Sequence, residues 1–428
     1  MQLANTPARP RIFPFSGDLL ELQENKTAER LRCDDEQACM TVHALDWRQG
    51  VLALAAVPLV YYTLAILAAL RFFRRGRAPE FPAYTPPVSL LKPVRGLDFG
   101  SYENFASFCR LDYPAYEILF AVNDDHDPAV RVIQQIIADF PQRGVRLLTG
   151  AEQLGTNRKV NKLARLAREA QHDVLVLTDG DVRVGSNFLH EVVAPLANRK
   201  TGAVTSFYRA IAEPNFWAEI EAVGASSDFF AGVLMAGWTE GIRFALGASV
   251  ATTKEWLSKI GGFEAIADTL ADDYELGHRI AKAGGEVILS REPVWTMYPA
   301  QSLRGFWNHQ VRWARTIRLC RPFSYVGLLF TQGLPWVLLV ALLAPAAWIS
   351  GAYLCAYLIL RFAMAWTVGV WGVKDDVLRN KLWLVPLRDA MYFVVWLASF
   401  GSNQIQWGST EYIVRKGKMM RIAETQEK

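Results

Sequence analysis

The chain contains 428 residues, of which 51% are hydrophobic and 14 are Trp, and its formal net charge is +4. This length is sufficient for two domains or for one domain with membrane segments, and the Trp-rich composition favours the second arrangement. The five cysteines are scattered without a CxxC pair, which argues against a zinc module and indicates ordinary thiols in a reducing compartment. The basic residues cluster beside apolar runs, which indicates contact with a membrane surface and no nucleic-acid partner.

The N-terminal part of the sequence predicts one membrane span. Residues 1–48 form a polar extension without the apolar core of a cleavable signal peptide, and we expect this extension to be flexible. Residues 49–75 contain an apolar run as long as a spanning helix, from Val51 to Phe73, with a buried core helix as the alternative. The basic residues around its end are Arg71, Arg74, Arg75 and Arg77. By the positive-inside rule, they place the following domain in the cytoplasm.

Residues 76–300 predict an α/β domain, because short apolar strands alternate with amphipathic helices. The predicted strands begin at Val88, Glu117, Val145, Asp173, Ala203, Phe244 and Glu286. The predicted helices are Tyr102 to Leu111, Pro128 to Asp139, Asn157 to Glu169 and Ser186 to Ala197. This order predicts a largely parallel, doubly wound sheet, in which ligands bind at the carboxyl ends of the strands.

Two carboxylates follow the fourth predicted strand, in the sequence DVLVLTDGDVRV. Asp179 and Asp181 are separated by one residue, and we expect both to face a common centre where the strand ends. Carboxylates are hard ligands that suit Mg²⁺ or Mn²⁺, ions that usually share their coordination with substrate phosphates. The alternative is a plain Asp-Gly turn.

Polar residues follow the second strand and begin the third helix. Asp124 lies where the second strand finishes and is placed to accept hydrogen bonds from a base or ribose, with turn chemistry as the alternative. The stretch GTNRKVNKL places Lys159 and Asn161 at a predicted helix start, where backbone amides and cations favour a diphosphate. A solvated helix face is the alternative for these two residues.

A second pair of acids and a basic, aromatic stretch complete this part of the sequence. Asp272 and Asp273 begin a predicted helix, a position that helix capping also explains. Residues 301–324 interleave arginines with aromatic residues, including Arg312 and Trp313, and predict an amphipathic segment in the membrane interface. Arginine also binds phosphate through its planar fork, so this helix can serve both the membrane and a phosphate site.

The C-terminal part of the sequence is again apolar. Residues 325–373 predict a hairpin of two spanning helices. Within residues 374–428, the run Leu382 to Phe400 carries Arg388 and Asp389 near its middle. Because charges within the bilayer are costly, we expect an interfacial or re-entrant helix followed by a basic cytoplasmic tail near the functional site. A third C-terminal span is the alternative.

The ordered strings VSLLKPVRGLD, AVNDDHDPAV, GTNRKVNKL, LTDGDVRV, ADDYELG and RW resemble the ceramide glucosyltransferase family, which includes similar bacterial hopanoid-associated glycosyltransferases. The resemblance runs from Val88 to Pro322. It implies a GT-A-type nucleotide-sugar fold flanked by transmembrane helices. One departure is His309, which stands where the family usually has Gln or Arg. Another is Asp272, because the acid before the base is often Glu.

The resemblance also implies roles for single residues. Asp124 would contact the nucleotide, and Asp179 with Asp181 would hold the metal on the donor diphosphate. Asp273 would be the catalytic base, with Asp272 as the other possible base. Arg312 and Trp313 would belong to the RW motif that closes on the diphosphate.

These features together predict a membrane-bound, metal-dependent, inverting hexosyltransferase. Displacement of a nucleoside diphosphate requires charge relief on the phosphates and a base for the acceptor hydroxyl, and a single displacement inverts the sugar. We expect UDP-glucose as donor, ceramide as acceptor and the bacterial inner membrane as location. One alternative is transfer from UDP-N-acetylglucosamine to a hopanoid or other polyol lipid. Another, of a different class, is an inactive membrane scaffold that binds lipid or nucleotide.

Overall fold

The structure is a computed structural model that describes residues 47–74, 84–150, 152–407, 410–415 and 417–422. Most of the predicted extension 1–48 and residues 75–83, which follow the first apolar run, therefore lie outside the described residues. Trp47 and Arg48, the last residues of that extension, already belong to a helix.

A mixed sheet of eight strands forms the centre of the protein, in the order β3-β2-β1-β4-β7-β6-β8-β5. The strands are β1 Val88–Pro93, β2 Tyr116–Ala121, β3 Gly144–Leu148, β4 Val174–Thr178, β5 Val182–Arg183, β6 Thr201–Ala212, β7 Ser249–Thr253 and β8 Glu286–Tyr298. The four adjacent strands β3, β2, β1 and β4 are parallel to one another, and β8 is parallel to β6. The strand β7 is antiparallel to both β4 and β6, and β5 is antiparallel to β8.

The sheet agrees with the predicted α/β class but is less parallel than the sequence indicates. The strand expected from Phe244 begins only at Ser249 and runs antiparallel to its neighbours. The strand expected from Glu286 is 13 residues long and is paired with β6 along most of its length. The direction of a strand depends on the connection that leads the chain back into the sheet. An apolar run in the sequence does not show which connection the chain takes.

Helices cover both faces of the sheet, as expected of a doubly wound fold. Up to residue 300 the helices are α1 Ala56–Arg74, α2 Ser101–Cys109, α3 Ala129–Asp139, α4 Arg158–Glu169, α5 Phe188–Val193, α6 Phe216–Gly224, α7 Phe230–Thr239, α8 Lys254–Lys259 and α9 Asp272–Lys282. Leu90 packs into the hydrophobic cluster that contains Phe105 of α2. Leu91 packs into the cluster on the other face, with Val160 of α4. Neighbouring residues of β1 thus serve opposite layers.

Among the residues that the structure describes, four helices are long and apolar enough to cross a membrane: Trp47–Arg74, Phe216–Thr239, Ala347–Val373 and Leu382–Ser399. The second, which comprises α6, the π-helix Ala225–Phe229 and α7, was not predicted as a span from the sequence. Its apolar window is 67% buried inside the protein, against 28% for the first helix and 39% for the other two. Much of its apolar surface therefore serves internal packing.

The remaining helices are α10 Leu303–Cys320, α11 Pro322–Gly327, α12 Gly333–Leu343, α13 Ala347–Ala365, α14 Asp376–Asn380 and α15 Val385–Ser399. The first half of the predicted hairpin 325–373 is not one straight helix. Pro322–Thr331 and Gly333–Leu343 are bent by 56° relative to each other. A further break before α13 contains Pro345, as expected because proline cannot continue a helix.

Of the two charges within the last apolar run, Asp389 is paired, whereas Arg388 forms no ion pair among the described residues. Asp389 of α15 accepts hydrogen bonds from Arg361 of α13 at 2.8–3.1 Å and from the Tyr357 hydroxyl at 2.7 Å. Arg361 also contacts Asp228. This network offsets the cost of burying Asp389. The cost of burying charge was the main reason for expecting an interfacial or re-entrant segment. That placement stays a prediction.

The expected basic tail contains a small antiparallel sheet, with strands β9 Gln404–Trp407, β10 Thr410–Arg415 and β11 Lys418–Arg421. The backbone N–H of Met419 donates to the carbonyl of Asp268 at 2.8 Å. Leu270 packs with Ile405, Tyr412, Val414 and Met419 in one hydrophobic cluster. The segment therefore lies beside the loop that precedes Asp272, consistent with the expectation that it stays near the functional site.

Candidate active site

A cleft lies at the carboxyl ends of the central strands and collects acids from distant parts of the sequence. Asp179 follows β4, whereas Asp272 and Asp273 begin α9. The residues that line the cleft are Pro93, Lys159, Leu163, Leu177, Thr178, Asp179, Gly247, Val250, Phe263, Ile266, Asp272, Asp273 and Leu276. The structure thus brings together four of the predicted site residues, at the edge of the sheet where ligands bind in such folds.

Lys159 connects the two groups of acids. Its Nζ lies 2.6 Å from Oδ1 of Asp179 and 3.3 Å from Oδ2 of Asp272. The charges of these carboxylates raise the pKa of Lys159 above its ordinary value against the opposing effect of burial. Lys159 lies in the first turn of α4, which Asn157 caps by accepting from the N–H groups of Lys159 and Val160. The cap fixes the helix start from which the ammonium group enters the cleft.

Asp273 lies in the first turn of α9, beside Asp272. Its Oδ1 accepts a hydrogen bond from the N–H of Tyr274 at 2.8 Å. Burial, followed by the charge of Asp272, raises the pKa of Asp273 to about 6, although Lys159 acts in the opposite direction. A carboxylate with a pKa near the operating pH is well matched to proton transfer.

Gly247 leaves the space in front of these carboxylates open. A Cβ atom at this position would lie 2.9 Å from Oδ2 of Asp273 and 3.6 Å from Oδ2 of Asp179. In the sequence, Gly247 falls within the strand expected from Phe244. A glycine within a strand pattern can mark the close approach of a ligand or another chain segment, and this signal could have identified it.

Asp181 is the second member of the predicted metal pair. Burial, followed by the charges of Asp179 and Asp98, raises the pKa of Asp181 to about 7. Burial and the charge of Asp179 also raise the pKa of Asp98, which was not predicted as a site residue. A local excess of negative charge is the environment that a divalent cation would neutralise.

The donor atoms fit a cation that shares its coordination with substrate. Within the described parts of the chain, no three His, Cys, Asp or Glu side chains form a group that could hold a metal ion by themselves. Asp179 and Asp181 offer carboxylate oxygens, and Mg²⁺ is usually bound through one or two carboxylates together with substrate phosphates. The residues therefore fit a cation that arrives with a diphosphate better than an all-protein metal cage.

Lys92 of β1 is a further cation of the site that the sequence analysis missed. Its side chain is fully buried, and its Nζ donates to Oγ1 of Thr178 at 3.0 Å and to the carbonyl of Asp179 at 2.9 Å. Burial lowers the pKa of Lys92 to about 7, whereas the charges of Asp181 and Asp179 act to raise it. A lysine within an apolar strand is an unusual choice and could have drawn attention to it.

Asp124 and Asn161 have local roles in the structure. Asp124 is exposed after β2, and its Oδ1 accepts from the N–H of His126 at 2.9 Å, as in an Asx turn. Asn161 is buried, and its amide exchanges two hydrogen bonds with the backbone of Gly155, at 2.9 and 3.1 Å. A contact of either residue with a nucleotide or diphosphate stays a prediction.

The RW pair lies on α10 and is not among the residues that line the cleft. Burial lowers the pKa of Arg312 to about 10, although the charge of Glu221 acts to raise it. Trp313 makes an edge contact with Phe229, at 6.2 Å between ring centroids, and packs against His309. In the described residues, no carboxylate forms an ion pair with Arg312, and a contact of this residue with a diphosphate stays a prediction.

His309 stands at the family's usual Gln or Arg position, and its side chain has a partner inside the protein. Its Nδ1 contacts Glu221, a buried residue of α6 that also accepts from Gln301. The neighbouring Gln310 accepts a hydrogen bond from Arg388 of α15 at 2.7 Å. These contacts anchor α10 to α6 and α15, a function that the motif alone did not indicate.

Solved structures contain the same fold. A mannosyltransferase from Pyrobaculum calidifontis, solved in complex with GDP-Man and Mn²⁺, is similar with a TM-score of 0.51 and 19% sequence identity. The match covers 83% of this chain and 99% of that chain. At this level of identity the likeness concerns the fold alone. It confirms the predicted α/β, GT-A-type architecture.

Curated sequences are also similar to this chain. Ceramide glucosyltransferase 3 and ceramide glucosyltransferase 1 of Caenorhabditis elegans are 27% identical over 231 residues and 25% identical over 258 residues. These matches cover 54% and 60% of this chain and 50% and 55% of the two relatives, so the chain spans about half the length of the curated relatives it matches. A ceramide glucosyltransferase of Gibberella zeae is 28% identical over 176 residues, 38% of this chain and 33% of that protein.

The sequence pattern of one protein family matches most of the chain. The family is described as glycosyl transferase family 21, and the match extends over residues 50–420. It includes the cleft, α10 and the apolar helices on both sides. The resemblance to ceramide glucosyltransferases is thereby confirmed, and the chain belongs to glycosyl transferase family 21.

Proposed function

We propose that the chain is a membrane-bound, metal-dependent, inverting hexosyltransferase that transfers glucose from UDP-glucose to the hydroxyl group of ceramide. The observation that carries this proposal is the convergence of Asp179, Asp272 and Asp273 with Lys159 in one cleft at the carboxyl ends of the strands. The cleft combines carboxylates for a cation and a base with an ammonium group for a diphosphate. The relatives named ceramide glucosyltransferase support this sugar and this acceptor.

Asp273 is the general base in this proposal. The acceptor hydroxyl oxygen forms a bond to the anomeric carbon while the bond from that carbon to the diphosphate oxygen breaks. Asp273 takes the hydroxyl proton, and UDP leaves with the electron pair of the broken bond. One displacement of this kind inverts the anomeric centre. The open space at Gly247 in front of Oδ2 supports access of a hydroxyl group to the base.

Lys159 and Arg312 stabilise the negative charge of the departing diphosphate. Lys159 is held at the start of α4 by Asp179 and Asp272, and the helix N-terminus adds its own attraction for an anion. Arg312 would approach the diphosphate from α10, with Trp313 packing beside it. Preorganised cations of this kind stabilise a transition state without further reorganisation.

Asp179 and Asp181 would hold Mg²⁺ or Mn²⁺ together with the donor diphosphate. When bound, the cation supplies charge neutralisation and orientation of the diphosphate. Asp124 would bind the nucleotide, and Asn161 would shape the loop at Gly155 beside the diphosphate.

The acceptor reaches the cleft from the membrane in this proposal. The apolar helices on both sides of the α/β domain support an integral membrane protein. The arginines at the end of α1 support a cytoplasmic location of the α/β domain, where nucleotide sugars are available. We propose the bacterial inner membrane as the location.

The first test is UDP release by the full chain in detergent, with UDP-glucose and Mg²⁺ or Mn²⁺, with and without ceramide. We expect release that requires both the metal ion and ceramide. Asp273→Asn should lower the rate by about 10²- to 10⁴-fold, because the proton acceptor is lost. Asp125→Asn is the matched control, since Asp125 is an exposed acid of the loop after β2. This control should retain the rate.

Other outcomes would change the proposal in defined ways. Turnover with a polyol lipid or with UDP-N-acetylglucosamine, but not with ceramide and UDP-glucose, would replace the substrates and retain the mechanism. Full activity of Asp273→Asn would reject the base, and Asp272→Asn would then be the next variant. No release under any of these conditions would favour a binding protein without catalytic activity.

A further inference from the structure

A buried lysine lies directly behind the turn that carries the two proposed metal ligands. Lys92 belongs to β1, the strand beside β4 at the centre of the sheet. Its ammonium group donates to Oγ1 of Thr178 at 3.0 Å and to the carbonyl of Asp179 at 2.9 Å. It also lies over the Phe108 ring, 3.8 Å from the ring centroid.

The burial of this ammonium group is costly and therefore informative. Lys92 has 0% relative exposure, so the side chain cannot place its charge in water. Transfer of an ion from water to a protein interior costs several kcal/mol unless other groups compensate. Methionine would fill a similar volume without this cost. The hydrogen bonds that only the lysine can donate are therefore its distinctive contribution.

Those hydrogen bonds hold the end of β4. Thr178 is the last residue of the strand, and Asp179 begins the turn that leads to Asp181. The carbonyl of Asp179 accepts from Lys92 and also from the N–H of Val182 at 3.3 Å, which closes the turn. Movement of this carbonyl would rotate the backbone from which both carboxylates project.

We propose that Lys92 is a positioning residue of the donor site, which fixes the Thr178–Asp179 backbone so that the Asp179 and Asp181 carboxylates bind one divalent cation together with the diphosphate. This inference rests on the proposed function of the cleft. Lys92 does not touch the substrate in this arrangement. It acts through the turn, and its charge offsets the repulsion between the two carboxylates before the cation binds.

The direction of the effect on cation affinity separates positioning from a simple charge effect. If Lys92 contributed only a positive charge, its removal would strengthen cation binding, because a buried ammonium repels a divalent ion. If Lys92 positions the carboxylates, its removal weakens cation binding, although the repulsion between the ammonium group and the cation is also removed. Loss of a residue that orients metal ligands costs about 10- to 100-fold in metal affinity.

The test measures Mn²⁺ binding directly in the full chain in detergent, by electron paramagnetic resonance of free Mn²⁺ in the presence of UDP. We expect Lys92→Met to weaken Mn²⁺ binding by about 10-fold or more. Lys162→Met is the matched control, because Lys162 is also buried and donates to a backbone carbonyl, that of Val94 at 2.7 Å. The control should bind Mn²⁺ as the unchanged chain does.

A second variant tests the same contact without removal of the lysine. Thr178→Val keeps the shape of a fully buried side chain but removes the hydroxyl acceptor of Lys92. We expect it to weaken Mn²⁺ binding in the same direction and to a smaller extent. If Lys92→Met does not fold, as judged by thermal unfolding, Thr178→Val decides the question.

The possible outcomes distinguish this inference from the proposed function. Unchanged or tighter Mn²⁺ binding by a folded Lys92→Met protein, or by Thr178→Val where that protein does not fold, would overturn the positioning role. An equal loss in Lys162→Met would also overturn it, since the effect would then be general to buried lysines. No Mn²⁺ binding by the unchanged chain with UDP would instead reject the proposed function of the cleft.

Discussion

At the scale of single residues, neighbouring charges differentiate the acids of the cleft. Asp179 and Asp272 each form an ion pair with Lys159, whereas Asp273 has no ion pair within the described part of the chain. Burial and the charge of Asp272 raise the pKa of Asp273 to about 6. The two adjacent acids therefore differ in what they can do: Asp272 holds Lys159 in place through an ion pair, and Asp273 can accept a proton.

This difference predicts a pH dependence of the reaction. Asp273 must be ionised to act as a base, so the rate of UDP release should fall as the pH decreases through about 6. Asp272→Asn removes the second cause of the raised pKa, and the acidic limb of the profile should move to lower pH. The measurement is the initial rate of UDP release against pH for both proteins, with thermal unfolding to verify folding at each pH. An unchanged acidic limb in Asp272→Asn would contradict this assignment.

At the scale of elements, the loop before α9 connects three parts of the protein. Oδ1 of Asp268 accepts from the N–H and the hydroxyl of Thr156 at 2.9 and 3.0 Å, next to the start of α4. The carbonyl of Asp268 accepts from Met419 of β11. Asn157 donates to the carbonyl of Thr269 at 2.9 Å. The position of Lys159 therefore depends on a loop distant in sequence and on the C-terminal sheet.

Loss of this connection should impair donor binding. Asp268→Ala removes the acceptor for two donors of Thr156, and loss of a hydrogen bond inside a protein costs about 0.5–1.5 kcal/mol. We expect a higher KM for UDP-glucose with a smaller change in kcat, because α4 would hold Lys159 less firmly. Asp268→Asn is the matched control, since its amide oxygen can still accept, and it should bind the donor better than Asp268→Ala. Equal KM values for both variants would contradict the role of these hydrogen bonds.

At the scale of the whole molecule, buried charges connect the apolar helices. Arg361 of α13 contacts Asp389 of α15 and Asp228 of the π-helix between α6 and α7. Gln310 of α10 accepts from Arg388 of α15. The helices that follow the α/β domain are therefore connected to each other and to the segment between β6 and β7. Apolar contact alone would not specify this arrangement in a lipid environment.

The network predicts an order of stability among variants. Arg361→Met leaves the buried Asp389 and the partly buried Asp228 without their cation, and loss of one partner of a buried ion pair costs about 3–5 kcal/mol. Asp389→Asn leaves Arg361 with Asp228, so it should cost less. The midpoint of thermal unfolding in detergent should therefore fall in the order unchanged chain, Asp389→Asn, Arg361→Met. The reverse order would show that Asp389 is the central charge of the network.

Much of the candidate site follows from local patterns in the sequence. An apolar strand followed by Asp179 and Asp181 predicts a carboxylate pair at the edge of a sheet, because the carboxyl ends of parallel strands meet there. The pattern at Asn157 predicts the start of α4 and hence the position of Lys159. The helical spacing of the apolar residues after Asp272 and Asp273 predicts that these acids begin a helix, and they begin α9. Each of these predictions depends on residues close together in the chain.

The sequence by itself therefore determined the α/β class, the apolar segments at both ends of the α/β domain and the acids of the cleft, because strand period, helix caps and hydropathy are local properties. It did not indicate the apolar helix Phe216–Thr239. Only the tertiary structure decided the contacts between distant segments. These include Lys92 behind Asp179, the open space at Gly247, the pairing of Arg361 with Asp389 and the docking of the C-terminal sheet beside Asp268. Such contacts depend on how strands and helices that are distant in sequence pack against one another, and local sequence patterns do not specify that packing.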